Sequence, residues 1–295
     1  MAYIMTLIGG SGTTPGTTDT LPDIAAAIAR TLALKGEPDW LAPGAACDLP
    51  IDGIAPEQAE RAARDTIGDA PIDVLLLPLE HRRKRLLVAD LESTIIENEM
   101  LDELADFIGM RARVAEITRR AMNAEIDFIA ALAERVALLR DLPVAVLDEA
   151  AERIRVMPGA RSLVATSRAA GVRTALVSGG FTVFAEKVAA SLGFDRVIAN
   201  SLDITQGRIA GTVRTPIIDR DAKRDTLVAL AAAEGIPIAA TLAVGDGAND
   251  LPMLQAAALA IASHAKPAVA AAARWRIEYA DLTALLYAQG YRNAE

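Results

Sequence analysis

Short apolar runs alternate with stretches of helical spacing over most of the chain after residue 85. The runs at 85–89, 174–177, 196–199, 241–244 and 259–262 each end in turn chemistry, which predicts buried strands. Between them, residues 160–170, 181–192 and 222–234 carry helical patterns that stop before Gly171, Gly193 and Gly235, residues suited to left-handed helix ends. Strand and helix alternating in this way predict an α/β domain with a doubly wound parallel sheet. After the first of these strands, residues 97–156 read as all helix, with Leu101, Leu104, Ile108 and then Ile126, Ile129, Leu132, Val136 at helical spacing. An insertion there falls at the carboxyl edge of the sheet, the position of a lid. Residues 200–218 predict a β-hairpin around Thr205-Gln-Gly-Arg208, a decoration beside the sheet.

The first eighty residues are organised differently. An apolar run at 3–8 leads through a Gly/Thr-rich loop to a helical pattern at 21–34. A Pro/Gly-rich middle with Trp40 and Cys47 follows, then a helical stretch at 56–67 and an apolar run at 72–77. This order predicts a small α+β module over 1–80. The basic cluster His81-Arg-Arg-Lys-Arg85 is expected to be a solvated linker. The expected organisation is therefore a module at 1–80, a core formed by 84–96 and 157–295, and a helical cap at 97–156.

Composition narrows the function classes. Among 295 residues, 39 Asp and Glu outweigh 30 Lys and Arg for a net charge of −9, which gives no footprint for nucleic acid or anionic membranes. One cysteine closes no internal disulfide, and no run reaches the length of a membrane span, so a soluble cytoplasmic enzyme is expected. Gly53 stands where a Cys-x5-Arg loop from Cys47 needs arginine, no lysine follows glycine as in a Walker A loop, and Asp250 replaces the third glycine of a dinucleotide fingerprint.

Polar clusters mark four strand ends or adjacent helix starts: Asp90-Leu-Glu-Ser-Thr94, Ser178-Gly-Gly180, Lys223 and Gly245-Asp-Gly-Ala-Asn-Asp250. Asp90 would emerge at the top of the sheet as an exposed oxygen nucleophile, and alternation points Glu92 to the same side as an acid and base. Ser93 or Thr94 could equally cap a following helix. Asp246 and Asp250 offer hard oxygen ligands and, with Asp90, a place for Mg2+. Ser178 and its glycines offer a hydroxyl and backbone N–H groups to a phosphate, and Lys223 a point charge.

These clusters, in this order, resemble the haloacid dehalogenase (HAD) superfamily of phosphatases. Asp90–Gly109, Ala121–Pro143, Leu176–Phe184 and Gly245–Pro252 are similar, segment by segment, to its phosphoserine phosphatases. The resemblance spans about residues 86–286. It implies a HAD core with a helical-bundle cap after the first strand, and Mg2+-dependent hydrolysis of O-phospho-L-serine through a phosphorylated Asp90. Glu92 would be the acid and base, and the metal ligands would be Asp90, the Glu92 carbonyl, Asp246 and Asp250, supported by Asn249. The phosphoryl group would meet Ser178, Gly179, Gly180 and Lys223. In the cap, Glu99 would face the substrate ammonium, Arg135 its carboxylate, and Met122 and Phe128 its apolar side. Read without the family, Glu99 and Arg135 would be surface ion-pair members and Phe128 plain bundle core; the matching offsets from Asp90 reverse this for the charged pair, while Met122 and Phe128 are equally core or substrate contacts. Some relatives carry an ACT-like regulatory module where residues 1–80 lie, which raises amino-acid regulation and a homodimer as expectations.

The sequence departs from the family at one catalytic position, where Glu92 stands in place of the second aspartate of Asp-x-Asp-Ser-Thr. An active phosphatase is the first expectation. The alternatives are a phosphatase or phosphotransferase for another small amino-acid phosphate ester, and a sensor that binds phosphoserine or serine without turnover.

Overall fold

The computed structural model describes residues 2–10, 17–122 and 125–293. The first elements are β1 (Tyr3–Gly9), α1 (Thr17–Thr31), β2 (Asp39–Ala42), β3 (Ala46–Ile51), α2 (Pro56–Ile67) and β4 (Ile72–Pro78). They form an antiparallel sheet in the order β2-β3-β1-β4, a β-α-β-β-α-β arrangement. The Gly/Thr-rich loop expected after β1 falls largely outside the described residues. Alternation along β1 sends Met5 and Leu7 into a core with Leu21, Ile28, Ala59 and Ala63 from the two helices. Ile4 and Ile8 face the other way, into a core shared with Leu282, Leu285, Leu286 and Tyr287 near the end of the chain. Both faces of this sheet are therefore covered by the chain itself.

The second part begins with β5 (Leu86–Ala89) and continues into four helices, α3 (Met100–Phe107), α4 (Arg111–Met122), α5 (Phe128–Ala137) and α6 (Ala145–Ala151). It resumes with α7 (Ala160–Ala169), β6 (Arg173–Phe181), α8 (Thr182–Leu192), β7 (Arg196–Asn200) and the hairpin β8 (Leu202–Thr205) and β9 (Arg208–Val213). The remainder is α9 (Arg220–Ala233), β10 (Thr241–Gly245), α10 (Leu251–Ala256), β11 (Leu259–Ser263), α11 (Pro267–Ala272), β12 (Trp275–Ile277) and α12 (Ala284–Ala288). Six strands pair in parallel in the order β12-β11-β10-β5-β6-β7. The chain winds outward from β5 through β6 to β7, then returns to β10 on the other side. The direction of winding reverses between β5 and β10, where such sheets hold their ligands.

The four helices after β5 sit on a two-stranded stem, in which Glu97 N–H donates to the Arg155 carbonyl at 2.8 Å and Met157 N–H to the Ile95 carbonyl at 2.9 Å. The hairpin is more than a decoration. Ile209 N–H donates to the Leu142 carbonyl and Asp141 N–H to the Ile209 carbonyl, both at 2.9 Å, so β9 holds the segment after α5.

The basic cluster at 81–85 is solvated only in part: His81, Arg83 and Arg85 are exposed, whereas Arg82 and Lys84 are held by the fold. Arg82 donates to both Asp48 carboxylate oxygens at 2.6 and 2.8 Å, to Thr6 Oγ1 at 2.9 Å and to the Ala288 carbonyl at 2.9 Å. Lys84 is buried, its Nζ donating to the Ala239 carbonyl at 2.9 Å. These partners come from distant parts of the chain, so the cluster joins the N-terminal sheet to the parallel-sheet core. Among the described residues, no helix is long and apolar enough to cross a membrane.

Candidate active site at the carboxyl ends of the central strands

Asp90 directly follows β5, and its N–H donates to the Val244 carbonyl of β10 at 3.0 Å. Asp246 directly follows β10, and Asp250 begins the turn into α10. Carboxylate oxygens of Asp90, Asp246 and Asp250 lie within 4.8 Å of one another, and all three residues are buried, so Asp90 is not the exposed group its strand-end position predicts. Lys223, in the first turn of α9, reaches into this group and is 1% exposed. Its Nζ donates to Asp90 Oδ1 at 2.6 Å and to Asp250 Oδ1 at 2.7 Å.

Burial and the neighbouring Asp250 raise the Asp90 carboxyl to about 7, against the pull of Lys223. Burial likewise raises Asp246 to about 6, opposed by Lys266. Burial alone would lower Lys223, but Asp90 and Asp250 outweigh it and hold the ammonium above its ordinary value. Three buried carboxylates around one buried ammonium leave an excess of two negative charges when ionised. Hard oxygen donors with that excess suit a divalent cation such as Mg2+.

Residues 91–96 form a turn that folds back on Leu91, with Ile95 and Ile96 N–H groups donating to its carbonyl at 2.8 and 2.9 Å. The next helix, α3, starts only at Met100, so neither Ser93 nor Thr94 caps it. Glu92 leans from this turn toward the four-helix unit and accepts from Met100 N–H at 2.8 Å through Oε1. Burial first, then Glu99, raises its carboxyl to about 8. A Cβ added to Gly180 would sit 2.7 Å from Glu92 Oε2, so the longer glutamate occupies space that this glycine leaves open.

Ser178, Gly179 and Gly180 lie at the end of β6, and Ser178 Oγ accepts from Gly180 N–H at 2.9 Å. Helix α8 begins beyond them, at Thr182 rather than at the serine. Phe128, the first residue of α5, comes close enough that a Cβ on Gly179 would lie 3.5 Å from its ring. Glu99 is exposed and accepts from Ser93 Oγ at 2.8 Å. Arg135 is half-buried, donates to the Ala131 carbonyl at 3.2 Å, and is held below its ordinary pKa by burial. Glu92, Asp102 and Glu99 oppose that shift. Neither Glu99 nor Arg135 forms an ion pair among the described residues, unlike ordinary surface charges of this chain such as Arg111 with Asp106. Asn249 is half-buried in the loop before α10, its Oδ1 filling the space beside Gly247. Met122 ends α4, and its side chain lies outside the described residues.

Three more residues belong to the site. Thr94 is buried with Oγ1 3.4 Å from Asp246 Oδ1, although the sequence suggested only a capping role. Lys266, after β11, places its Nζ 3.7 Å from Asp246 Oδ2. Asn200, at the end of β7, donates to the Gly179 carbonyl at 2.8 Å. The signal for the last two was their position just at or past strand ends, which the motif pattern did not mark.

The profile of the haloacid dehalogenase-like hydrolases matches residues 87–255. A phosphoserine phosphatase of Streptomyces coelicolor is 38% identical over 86% of this chain and 62% of its own length. One from Lactococcus lactis is 42% identical over 69% of this chain and 94% of its own. Among solved structures, a HAD-family hydrolase from Salmonella enterica serovar Typhi superposes with a TM-score of 0.85 at 30% identity, covering 97% of both chains. A substrate-bound phosphoserine phosphatase complex superposes with a TM-score of 0.66 at 37% identity, over 70% of this chain and 98% of that one. The chain belongs to the haloacid dehalogenase-like hydrolase family. It spans somewhat under two thirds of the length of the Streptomyces relative.

Proposed function

We propose that this protein is a phosphoserine phosphatase that releases L-serine and inorganic phosphate from O-phospho-L-serine, the last step of serine biosynthesis. The observation that carries this reading is the buried group of Asp90, Asp246, Asp250 and Lys223 at the reversal of the sheet, with Ser178-Gly-Gly180 at the end of β6, the strand beside β5. The names of the relatives supply the substrate class. In this reading residues 84–96 and 157–295 are the catalytic core, 97–156 the cap and 1–80 an accessory module. The single, buried Cys47 suits a reducing, cytoplasmic setting.

Asp90 attacks phosphorus and becomes an acyl phosphate, while Glu92 gives its proton to the departing seryl oxygen. Glu92 then takes a proton from water as that water attacks phosphorus, which returns Asp90 and frees phosphate. Its raised pKa suits it to hold that proton near neutrality. Mg2+ bound by Asp90, Asp246, Asp250 and the Glu92 carbonyl, with Asn249 in support, would offset charge on the phosphoryl oxygens and keep Asp90 ionised. Lys223, the Ser178 hydroxyl and the 178–180 backbone hold the phosphoryl oxygens through both steps. In the cap, Glu99 receives the substrate ammonium, and Arg135, which has no carboxylate partner among the described residues, receives its carboxylate. Phe128 lines the apolar side.

The test is phosphate release from L-phosphoserine with and without Mg2+, for the native chain and for Asp90→Asn. Metal-dependent release that Asp90→Asn abolishes is expected. Phosphoserine binding without release by the native chain would overturn the hydrolase reading in favour of a sensor.

A further inference from the structure

The ladder between β6 and β7 is interrupted where the phosphate loop sits. Val177 pairs with Ile198 and Phe181 with Asn200, so β6 advances four residues while β7 advances two. The two additional residues make Ser178-Gly-Gly180 bulge out of the sheet, and a bulge leaves backbone groups without ladder partners. Asn200 repairs this from the side. Its Nδ2 donates to the Gly179 carbonyl at 2.8 Å, and it is 1% exposed.

The same amide grips a second segment. Asn200 Oδ1 accepts from Ile218 N–H at 2.7 Å, and Nδ2 also donates to the Ile218 carbonyl at 3.3 Å. The side chain thus pairs with Ile218 as a neighbouring peptide would. Asp219, the next residue, caps α9 by accepting from Ala222 N–H at 2.9 Å. Lys223 N–H donates to the Asp219 carbonyl at 3.0 Å, one turn further on. One buried amide therefore ties the bulge at 178–180 to the start of the helix that carries Lys223.

The geometry points to Asn200 as a positioning residue that sets the spacing between the two halves of the phosphoryl site, the 178–180 bulge and Lys223. This rests on the phosphatase reading above and extends it to a residue that touches neither substrate nor metal. No other residue type supplies this pattern at that length: aspartate lacks the donors, glutamine is longer by a methylene, and serine cannot span both segments. A shift of about 1 Å between parts of a site can cost on the order of a hundredfold in rate.

The test uses Asn200→Asp, which keeps the shape and removes both donors, with Asn200→Ser in its place if the aspartate variant does not fold. Each is compared with the native chain for hydrolysis of phosphoserine and of p-nitrophenyl phosphate. Binding of inorganic phosphate in Mg2+ is measured by calorimetry, which needs no turnover. The expectation is a fall of about tenfold or more in kcat/KM on both esters, with phosphate bound correspondingly more weakly. Inhibition by L-serine, which senses the cap, should be unchanged. Unaltered phosphate binding, or equal weakening of phosphate and serine, would overturn the assignment. Failure of the native chain to hydrolyse either ester would overturn the phosphatase reading instead, and the phosphate titration would still decide the role of Asn200.

Discussion

Replacing Lys223 by methionine removes the one buried ammonium from a group of three buried carboxylates. Its two contacts, at 2.6 Å to Asp90 and 2.7 Å to Asp250, have no substitute. Lys266, the other ammonium nearby, is half exposed and stands 3.7 Å from Asp246. Removing one partner of a buried ion pair costs about 3–5 kcal/mol, because the remaining charge stays desolvated. The carboxylates can relieve this by taking up protons, and Asp90 already does so at about 7 with the lysine in place. The loss should therefore depend on pH. At pH 5 Asp90 is protonated in both proteins and its attraction to Lys223 is absent from both, so the difference narrows to the loss of the Asp250 contact. At pH 8 Asp90 is ionised in the native chain, and the difference should be wider by about 1 kcal/mol or more. Urea denaturation followed by circular dichroism in a chelator, at both pH values, measures this directly. Mg2+ should recover about 2–3 kcal/mol once present at a hundredfold above its dissociation constant. A destabilisation below about 1 kcal/mol, or one equal at both pH values, would refute the view that Lys223 neutralises a buried acidic centre.

Arg135→Ala should raise KM for phosphoserine about 10- to 100-fold, the loss of one charge-assisted contact, while sparing p-nitrophenyl phosphate; equal loss on both esters would remove Arg135 from substrate recognition. If Glu92 is the acid, kcat should fall as pH rises through about 8, where its proton is lost. Glu92→Asp should retain or increase activity, and its collapse would mean that the space beside Gly180 requires the longer side chain. Arg82→Ala strands the buried Asp48 carboxylate and the Ala288 carbonyl, so a stability loss of about 3–5 kcal/mol is expected in the same denaturation assay, and a loss under about 1 kcal/mol would make the junction incidental.

Much of the core was legible because its signals are local. Five of the six parallel strands read as short apolar runs, since helices cover both faces of the sheet, and candidate site residues follow at the ends of several of them; β12, only Trp275–Ile277 with Arg276 at its centre, was too short and mixed to read. The N-terminal sheet was less legible. Strands β2 and β3 lie in the Pro/Gly-rich middle, and β3 carries Asp48 and Pro50 among its apolar residues. Asp48 is tolerated there because Thr6 and Arg82 satisfy it from 42 and 34 residues away. The same distance hid the anchoring of Arg82 and Lys84 within the basic cluster at 81–85.

Read alone, the sequence carries the alternation of strand and helix, the helical insertion after β5, and the clusters at Asp90-Leu-Glu92, Ser178-Gly-Gly180 and Asp246–Asp250 as candidate site residues. Those features depend on periodicity, turn chemistry and spacing within a few residues. The folded chain alone reveals that Glu92 lies against Gly180, that Lys223 bridges Asp90 and Asp250, that Asn200 joins the 178–180 bulge to the segment before α9, and that α12 packs on the N-terminal sheet. Each of these is a contact between residues far apart in the chain. No local pattern encodes it, because its energy arises only when folding removes both partners from water.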